Sequence, residues 1–286
     1  MIPRHVMVAL AWSALLLAAC AITPPPGPSS PSAAPDPVGA ATTTAAAPMA
    51  PAVGGGPERL ELRPMARPTQ PSLAVRYRVA LVSDPCVDRD LPAPPASDVV
   101  LTVLDRSYGL PATHVPEDLV PSADAGLTGI SGTKLVRSVM IDDLAAMRAA
   151  WESAGMVVVI DSGYRSHADQ AVTFDSWVAR IGYDQAVVRS ARPGHSEHQL
   201  GTAIDVSSPG WSGRFGDWAR EAPEGAWMAE HAWEYGFVMS YPPGAQERTC
   251  FGYEPWHYRW IGREAAAEQR ESGLVLRDFL ADRAGE

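Results

Sequence analysis

The sequence predicts an α+β domain built on a small, mainly antiparallel sheet with flanking helices. Two observations lead there. Stretches with helical periodicity and short apolar stretches are interleaved, but without the regular strand–helix–strand alternation of a parallel sheet. The helical stretches stop at glycines, and no stretch of the chain repeats another.

Taken in order, the compact domain starts near Asp98. "VVLTVLD" (99–105) reads as a strand. "GLPATHVPEDLVP" (109–121) is punctuated by proline and should wrap the surface. "IDDLAAMRAAWESAG" (141–155) carries Leu144, Met147 and Trp151 on one face and ends at Gly155, the pattern of an amphipathic helix of about four turns. "MVVVIDSGYRS" (156–166) is a buried strand running into a turn, and "HADQAVTFDSWVARIG" (167–182) a second helix. "GTAIDVS" (201–207) is a further strand and "GAWMAEHAWEYG" (225–236) a third helix. "FVMSYP" and "YEPWHYRW" look extended. Trp211, Trp218 and Trp227 are better placed in a core than along a groove.

Composition sets the class. The chain has 286 residues, 46% hydrophobic and 20% charged, which is ordinary for a globular protein. Its net charge of −10 argues against nucleic acid as a partner, because neutralising phosphates needs clustered Lys and Arg, and Lys134 is the only lysine. The first twenty residues have the form of a secretory signal: Arg4 and His5, then the apolar run Val6 to Ala19, then Cys20. That run falls short of the roughly 20 residues a spanning helix needs. "LAAC" (17–20) resembles a bacterial lipobox, so Cys20 is expected to carry lipid and to anchor the mature protein to the membrane, outside the cytoplasm.

Residues 21–57 hold ten of the 27 prolines with Ala, Thr, Ser and Gly between them, and read as a disordered tether with a span on the order of 35 Å. Residues 58–96 are mixed, with a weakly alternating "LAVRYRVALV" (73–82), and are read as an N-terminal extension to the domain at 97–286. Of three cysteines, one at the lipidation site leaves Cys86 and Cys250 as an even pair, and an oxidising compartment makes a disulfide between them the expectation.

Three stretches carry chemistry. "ARPGHSEHQLGTAIDVSS" (191–208) crowds two histidines, a glutamate and an aspartate into a run that is otherwise small or apolar. His198 and Asp205, seven apart, are donors zinc accepts readily, and a metal would offset the cost of a carboxylate at the end of an apolar strand. Read alone, the stretch is equally compatible with a surface histidine and a turn-capping aspartate. "YEPWHYRW" (253–260) sets Glu254 three residues before His257 around a rigid Pro-Trp pair. A histidine ligand with a nearby carboxylate suits metal-assisted hydrolysis, the carboxylate moving the proton of the attacking water to the leaving amine. "SGYRSHADQ" (162–170) puts Arg165 just past a strand, where a guanidinium can grip a carboxylate through two parallel hydrogen bonds. No His-Glu-x-x-His helix occurs. His195 and His167 compete for the ligand role and are read as structural or supporting.

The three motifs in this order resemble the VanY-type D-alanyl-D-alanine carboxypeptidases, a zinc peptidase family acting on peptidoglycan. The resemblance covers roughly Leu104 to Gly262. The pattern Ser-x-His-x-x-Gly-x-Ala-x-Asp is met by Ser196, His198, Gly201, Ala203 and Asp205, and Glu-x-Trp-His by Glu254, Trp256 and His257. It implies a hedgehog/D,D-peptidase-like α+β fold whose small sheet cradles one zinc. It implies that His198, Asp205 and His257 bind Zn2+, that Glu254 is the catalytic base, and that Arg165, Gln170 and Ser196 hold the substrate's terminal carboxylate and peptide. The expected activity is removal of C-terminal D-alanine from stem peptides by a monomeric, membrane-anchored lipoprotein. L,D-carboxypeptidase, D,D-dipeptidase and endopeptidase activities on the same peptides stay open, as does a non-catalytic zinc-containing wall-binding lipoprotein.

Overall fold

The computed structural model describes residues 84–284, apart from Ser97 and Ile130. The signal, Cys20, the tether, residues 58–83 with the weakly alternating stretch 73–82, and the last two residues lie outside the described part.

The described chain begins with β1 (Leu91–Pro92), which pairs in parallel with β2 (Tyr108–Gly109). β3 (Leu119–Pro121) and β4 (Leu135–Arg137) form an antiparallel pair. Then come α1 (Ile141–Ser153), β5 (Val159–Ser162), α2 (His167–Ile181), the short α3 (Tyr183–Ala186) and β6 (Ala203–Ser207). α4 (Trp218–Glu221) and α5 (Pro223–His231) lead to β7 (Phe237–Met239), α6 (Gln246–Thr249) and β8 (His257–Trp260). α7 (Arg263–Ser272) and α8 (Leu276–Arg283) close the chain. The α+β class expected from the sequence is what the structure has.

One expected strand is absent. Residues 99–105 form a 3-10 turn over Val99–Leu101, capped by the Asp98 side chain, and then run without a ladder partner. The reason is tertiary: the carbonyls of Val100 and Thr102 are taken by the buried guanidinium of Arg259, at 2.8 and 2.7 Å, and not by a neighbouring strand.

The central sheet has the order β5-β6-β8-β7 and is antiparallel throughout. Side chains alternate faces along a strand, and here the alternation separates core from site. Ile204 and Val206 of β6, Tyr258 and Trp260 of β8, and Phe237 of β7 enter the main apolar core. Leu144, Met147 and Trp151 of α1 cover them at helical spacing, with Trp218 and Met228 beside them. Burying side chains of this size contributes about 1.5–3 kcal/mol each. The opposite face of the same strands carries Asp205, His257 and Arg259. Asp205 and His257 are direct cross-strand partners. Asp205 thus stands at the centre of β6 rather than at the strand end expected from the sequence. β5 joins β6 with a register shift between Ile160 and Ser162.

Two local features bring the remaining side chains to that face. α2 is capped by Ser166, whose hydroxyl oxygen accepts from the Asp169 N–H, so the helix begins two residues after Arg165. A 3-10 turn over Glu197–Leu200 ends at Gly201, whose φ of 74° lies in the left-handed region. A Cβ there would come within 3.0 Å of the Arg137 side chain and 3.1 Å of Leu119. Glycine lets the chain reverse from His198 into β6 within five residues.

Residues 84–96 lie along the domain. β1 pairs with β2, and Cys86 is disulfide-bonded to Cys250 with a Cα separation of 5.1 Å.

Candidate active site

His198, Asp205 and His257 converge, each offering one donor atom within 4.8 Å of the others. His198 comes from the 3-10 turn, Asp205 from β6 and His257 from β8. His198 Nδ1 donates to the carbonyl of Gly163 at 2.8 Å, which leaves Nε2 bare and 3.2 Å from Asp205 Oδ2. His257 Nε2 donates to Glu197 Oε2 at 2.9 Å, so its inward atom is Nδ1, 3.0 Å from Asp205 Oδ1. A carbonyl and a carboxylate can only accept, so these partners fix both tautomers for metal binding. The two rings stand 5.0 Å apart and nearly perpendicular.

The electrostatics fit a cation. Burial by itself would raise Asp205, but His198 and His257 overcome it and hold its carboxyl well below the usual carboxylate range. Burial pushes His198 below the ordinary imidazole value, keeping it neutral and able to ligate. His257 goes the other way. Burial would lower it, yet the carboxylates of Asp205 and Glu197 raise it to about 10. A metal would therefore displace the Nδ1 proton. Two imidazoles and one carboxylate form a three-ligand set of the kind catalytic zinc uses, with a further position open to substrate or water.

Glu254 sits on the loop before β8, its N–H donating to the Tyr241 carbonyl at 3.1 Å. Burial raises its carboxyl to about 8, with the charge of His257 pulling only partly back. Among the described residues nothing donates a hydrogen bond to it, and it lines the same cleft as the three ligands. Arg165 lines that cleft too. Its N–H donates to the His198 carbonyl at 3.2 Å, while its guanidinium Nε is buried without a partner. Ser196 is buried at the cleft wall and its Oγ accepts from the His198 N–H at 3.3 Å. Gln170 also lines it, but its amide nitrogen is spent on the Ala191 carbonyl (2.6 Å) and Ser190 Oγ (3.2 Å). Its remaining group is the unpartnered acceptor Oε1, suited to a peptide N–H rather than to a carboxylate.

All seven site residues named from the sequence therefore line one cleft, of about 190 Å³. His195 does not join them. Its Nδ1 faces the carbonyls of Asp105 (2.8 Å) and Tyr108 (3.1 Å), and with His167 it lines a separate hollow.

Four further residues complete the site. Glu197, between Ser196 and His198, is buried and accepts from His257, from Arg259 Nη1 at 3.0 Å and from Ser240 Oγ at 2.6 Å. Burial would raise its carboxyl, but Arg259 and His257 lower it to about 2. Arg259 is fully buried two residues after His257, on the same strand face. The period-two spacing was the available signal for it. Tyr241 stacks 5.0 Å from the His257 ring, and Arg189 lines the cleft rim. Neither has a sequence signature.

Fold and site together define a peptidase class: a small antiparallel sheet presenting a His/Asp/His cluster with an unpaired carboxylate beside it. Residues 133–263 match the VanY family model, D-alanyl-D-alanine carboxypeptidase. YodJ, a Bacillus subtilis protein assigned as a carboxypeptidase, is 33% identical over 182 residues, which cover 63% of this chain and 67% of YodJ. Among solved structures, the LdcB LD-carboxypeptidase superposes with a TM-score of 0.59 at 30% identity, covering 66% of this chain and 94% of that one. The vancomycin-resistance D,D-pentapeptidase VanY in complex with Zn(II) gives 0.54 at 28% identity, covering 64% and 99%. The matches to enterococcal D-alanyl-D-alanine carboxypeptidases span about half of those proteins or less. The chain belongs to the VanY family of D-alanyl-D-alanine carboxypeptidases.

Proposed function

We propose that this protein is a zinc-dependent D-alanyl-D-alanine carboxypeptidase that removes the C-terminal D-alanine of peptidoglycan stem peptides. The observation that carries the reading is the convergence of His198, Asp205 and His257 beside the unpaired carboxylate of Glu254. The complex of the related VanY with Zn(II) supports zinc as the ion. Zinc, when bound, supplies Lewis-acid chemistry for hydrolysis.

The chain's own residues do the rest. Glu254 takes a proton from the attacking water and returns it to the leaving amine of D-alanine. Arg165 pairs with the substrate's terminal carboxylate, which restricts cleavage to the last peptide bond. Gln170 Oε1 accepts from a substrate N–H. Lipid on Cys20 would hold the enzyme at the membrane, close to the wall.

The likeness to LdcB favours one second reading, L,D-carboxypeptidase activity on tetrapeptide stems. One experiment tests both. The zinc-loaded protein is incubated with pentapeptide and tetrapeptide stems, with and without a chelator, and products are read by mass. Chelator-sensitive loss of one alanine from the pentapeptide supports the D,D reading, and loss from the tetrapeptide the L,D reading. No cleavage of either overturns both.

A further inference from the structure

A second hollow of about 410 Å³ adjoins the cleft. Trp177, Arg189, Glu254 and Trp256 line both. The second hollow touches none of Arg165, Gln170 or Ser196, so it extends from Glu254 away from the end assigned to the terminal carboxylate. A peptide whose last residue is held by Arg165 and whose scissile bond meets Glu254 must continue on this side. Among the described residues Arg189 is the only cationic side chain lining the hollow, and Glu254 the only carboxylate. Arg189 is exposed, and among the described residues it has no ion-pair partner.

The walls hold their shape without substrate. On one side, Phe174, Ala186 and Val187 pack α2 and α3 together with Trp177 and Val188 against them. On the other, the loop after α6 is tied across: the Gly252 N–H donates to the Val188 carbonyl at 2.9 Å. The next residue after Val188 is Arg189, so its backbone is fixed at the seam between the two hollows.

We propose that this second hollow is the subsite for the acyl part of the substrate, and that Arg189 pairs there with a carboxylate carried by that part, making it a specificity-determining residue. The proposal rests on the peptidase reading above. The apolar walls from Trp177, Val188 and Trp256 suit the alkyl portions of the peptide, and Arg189 discriminates by charge. Two positions of a wall stem peptide can carry such a carboxylate: the third residue, when it is a diamino diacid rather than lysine, and a γ-linked glutamate, when its α-carboxylate is not amidated.

The test uses the zinc-loaded protein and four synthetic stem peptides that vary those two positions independently. An ion pair at a solvent-reached rim is worth up to about 1 kcal/mol, or about fivefold. The wild type should therefore favour one carboxylated peptide by about fivefold in kcat/KM, mostly through KM. In Arg189→Gln that ratio should fall toward one, and in Arg189→Glu it should invert. The position whose amidation or replacement removes the preference identifies the carboxylate. Cleavage with the same ratios in all three proteins overturns this inference alone. Failure to cleave any of the four peptides, each supplied as both pentapeptide and tetrapeptide, overturns the peptidase reading and the subsite with it.

Discussion

His257 is the side chain on which the site turns, because both of its ring nitrogens are committed. Nε2–H points at Glu197 and Nδ1 at Asp205. With its pKa raised to about 10, the ring carries both protons in the metal-free protein at neutral pH. Zinc binding must then release a proton. Titration calorimetry at pH 7 in buffers of different ionisation enthalpy should show proton release to buffer, and heats independent of the buffer would contradict the assignment. Glu254→Gln removes the base and keeps its shape. It should bind zinc as the wild type does and lose about 10²–10⁴ in kcat, the usual range for a general base. Near-normal turnover would remove Glu254 from the proton path. Glu197 acts at one remove, since its carboxylate orients the His257 ring. Outer partners of this kind are worth about 10–100-fold in metal affinity. Glu197→Gln should show that loss in a competition assay against a chromophoric chelator, with circular dichroism confirming that the variant is folded.

At the scale of elements, β6 and β8 present the ligands on one face because the register pairs Asp205 with His257 and the alternation sends Ile204 and Tyr258 into the core. Part of this could be read from the sequence: an apolar strand carrying Asp205, the small residues Gly201 and Ala203 before it, and α1 with Leu144, Met147 and Trp151 on one stripe. The Glu197–Arg259 pair could not. A buried arginine looks like a surface one until its partner is known, and that partner lies 62 residues away. The same pair explains the missing strand at 99–105, whose carbonyls serve Arg259. It also sets an acid limit on stability. Glu197's carboxyl is lowered from its ordinary 4.5 to about 2, so its contribution is fully present above about 4.5 and lost as pH falls through about 2. Metal-free protein should therefore lose thermal stability steeply over that interval. Glu197→Gln should flatten the limb, and an unchanged slope would mean that folding does not lower this carboxyl's pKa.

For the molecule as a whole, we propose a division of labour between a domain that does chemistry and an N-terminal segment that decides where it is done. The described domain supplies the cleft and the hollow beside it, and no described helix is long and apolar enough to cross a membrane. We propose that membrane attachment, expected from the sequence, is made by Cys20 at the end of "LAAC". A thioether-linked diacylglycerol would add apolar chains at about 0.8 kcal/mol per buried CH₂, and two chains are enough for stable anchoring. The wild type, expressed with its full N-terminus in a bacterial host that lipidates proteins, should therefore partition with membranes and resist salt extraction, which removes proteins held by charge alone. Cys20→Ala should move it to the soluble fraction while leaving the intrinsic peptidase activity of the domain intact, because the described cleft is lined by residues 165–257 and Cys86 and Cys250 already satisfy each other. Equal partitioning of the two proteins would place the anchor elsewhere, and would separate the question of where the enzyme works from the question of what it cuts.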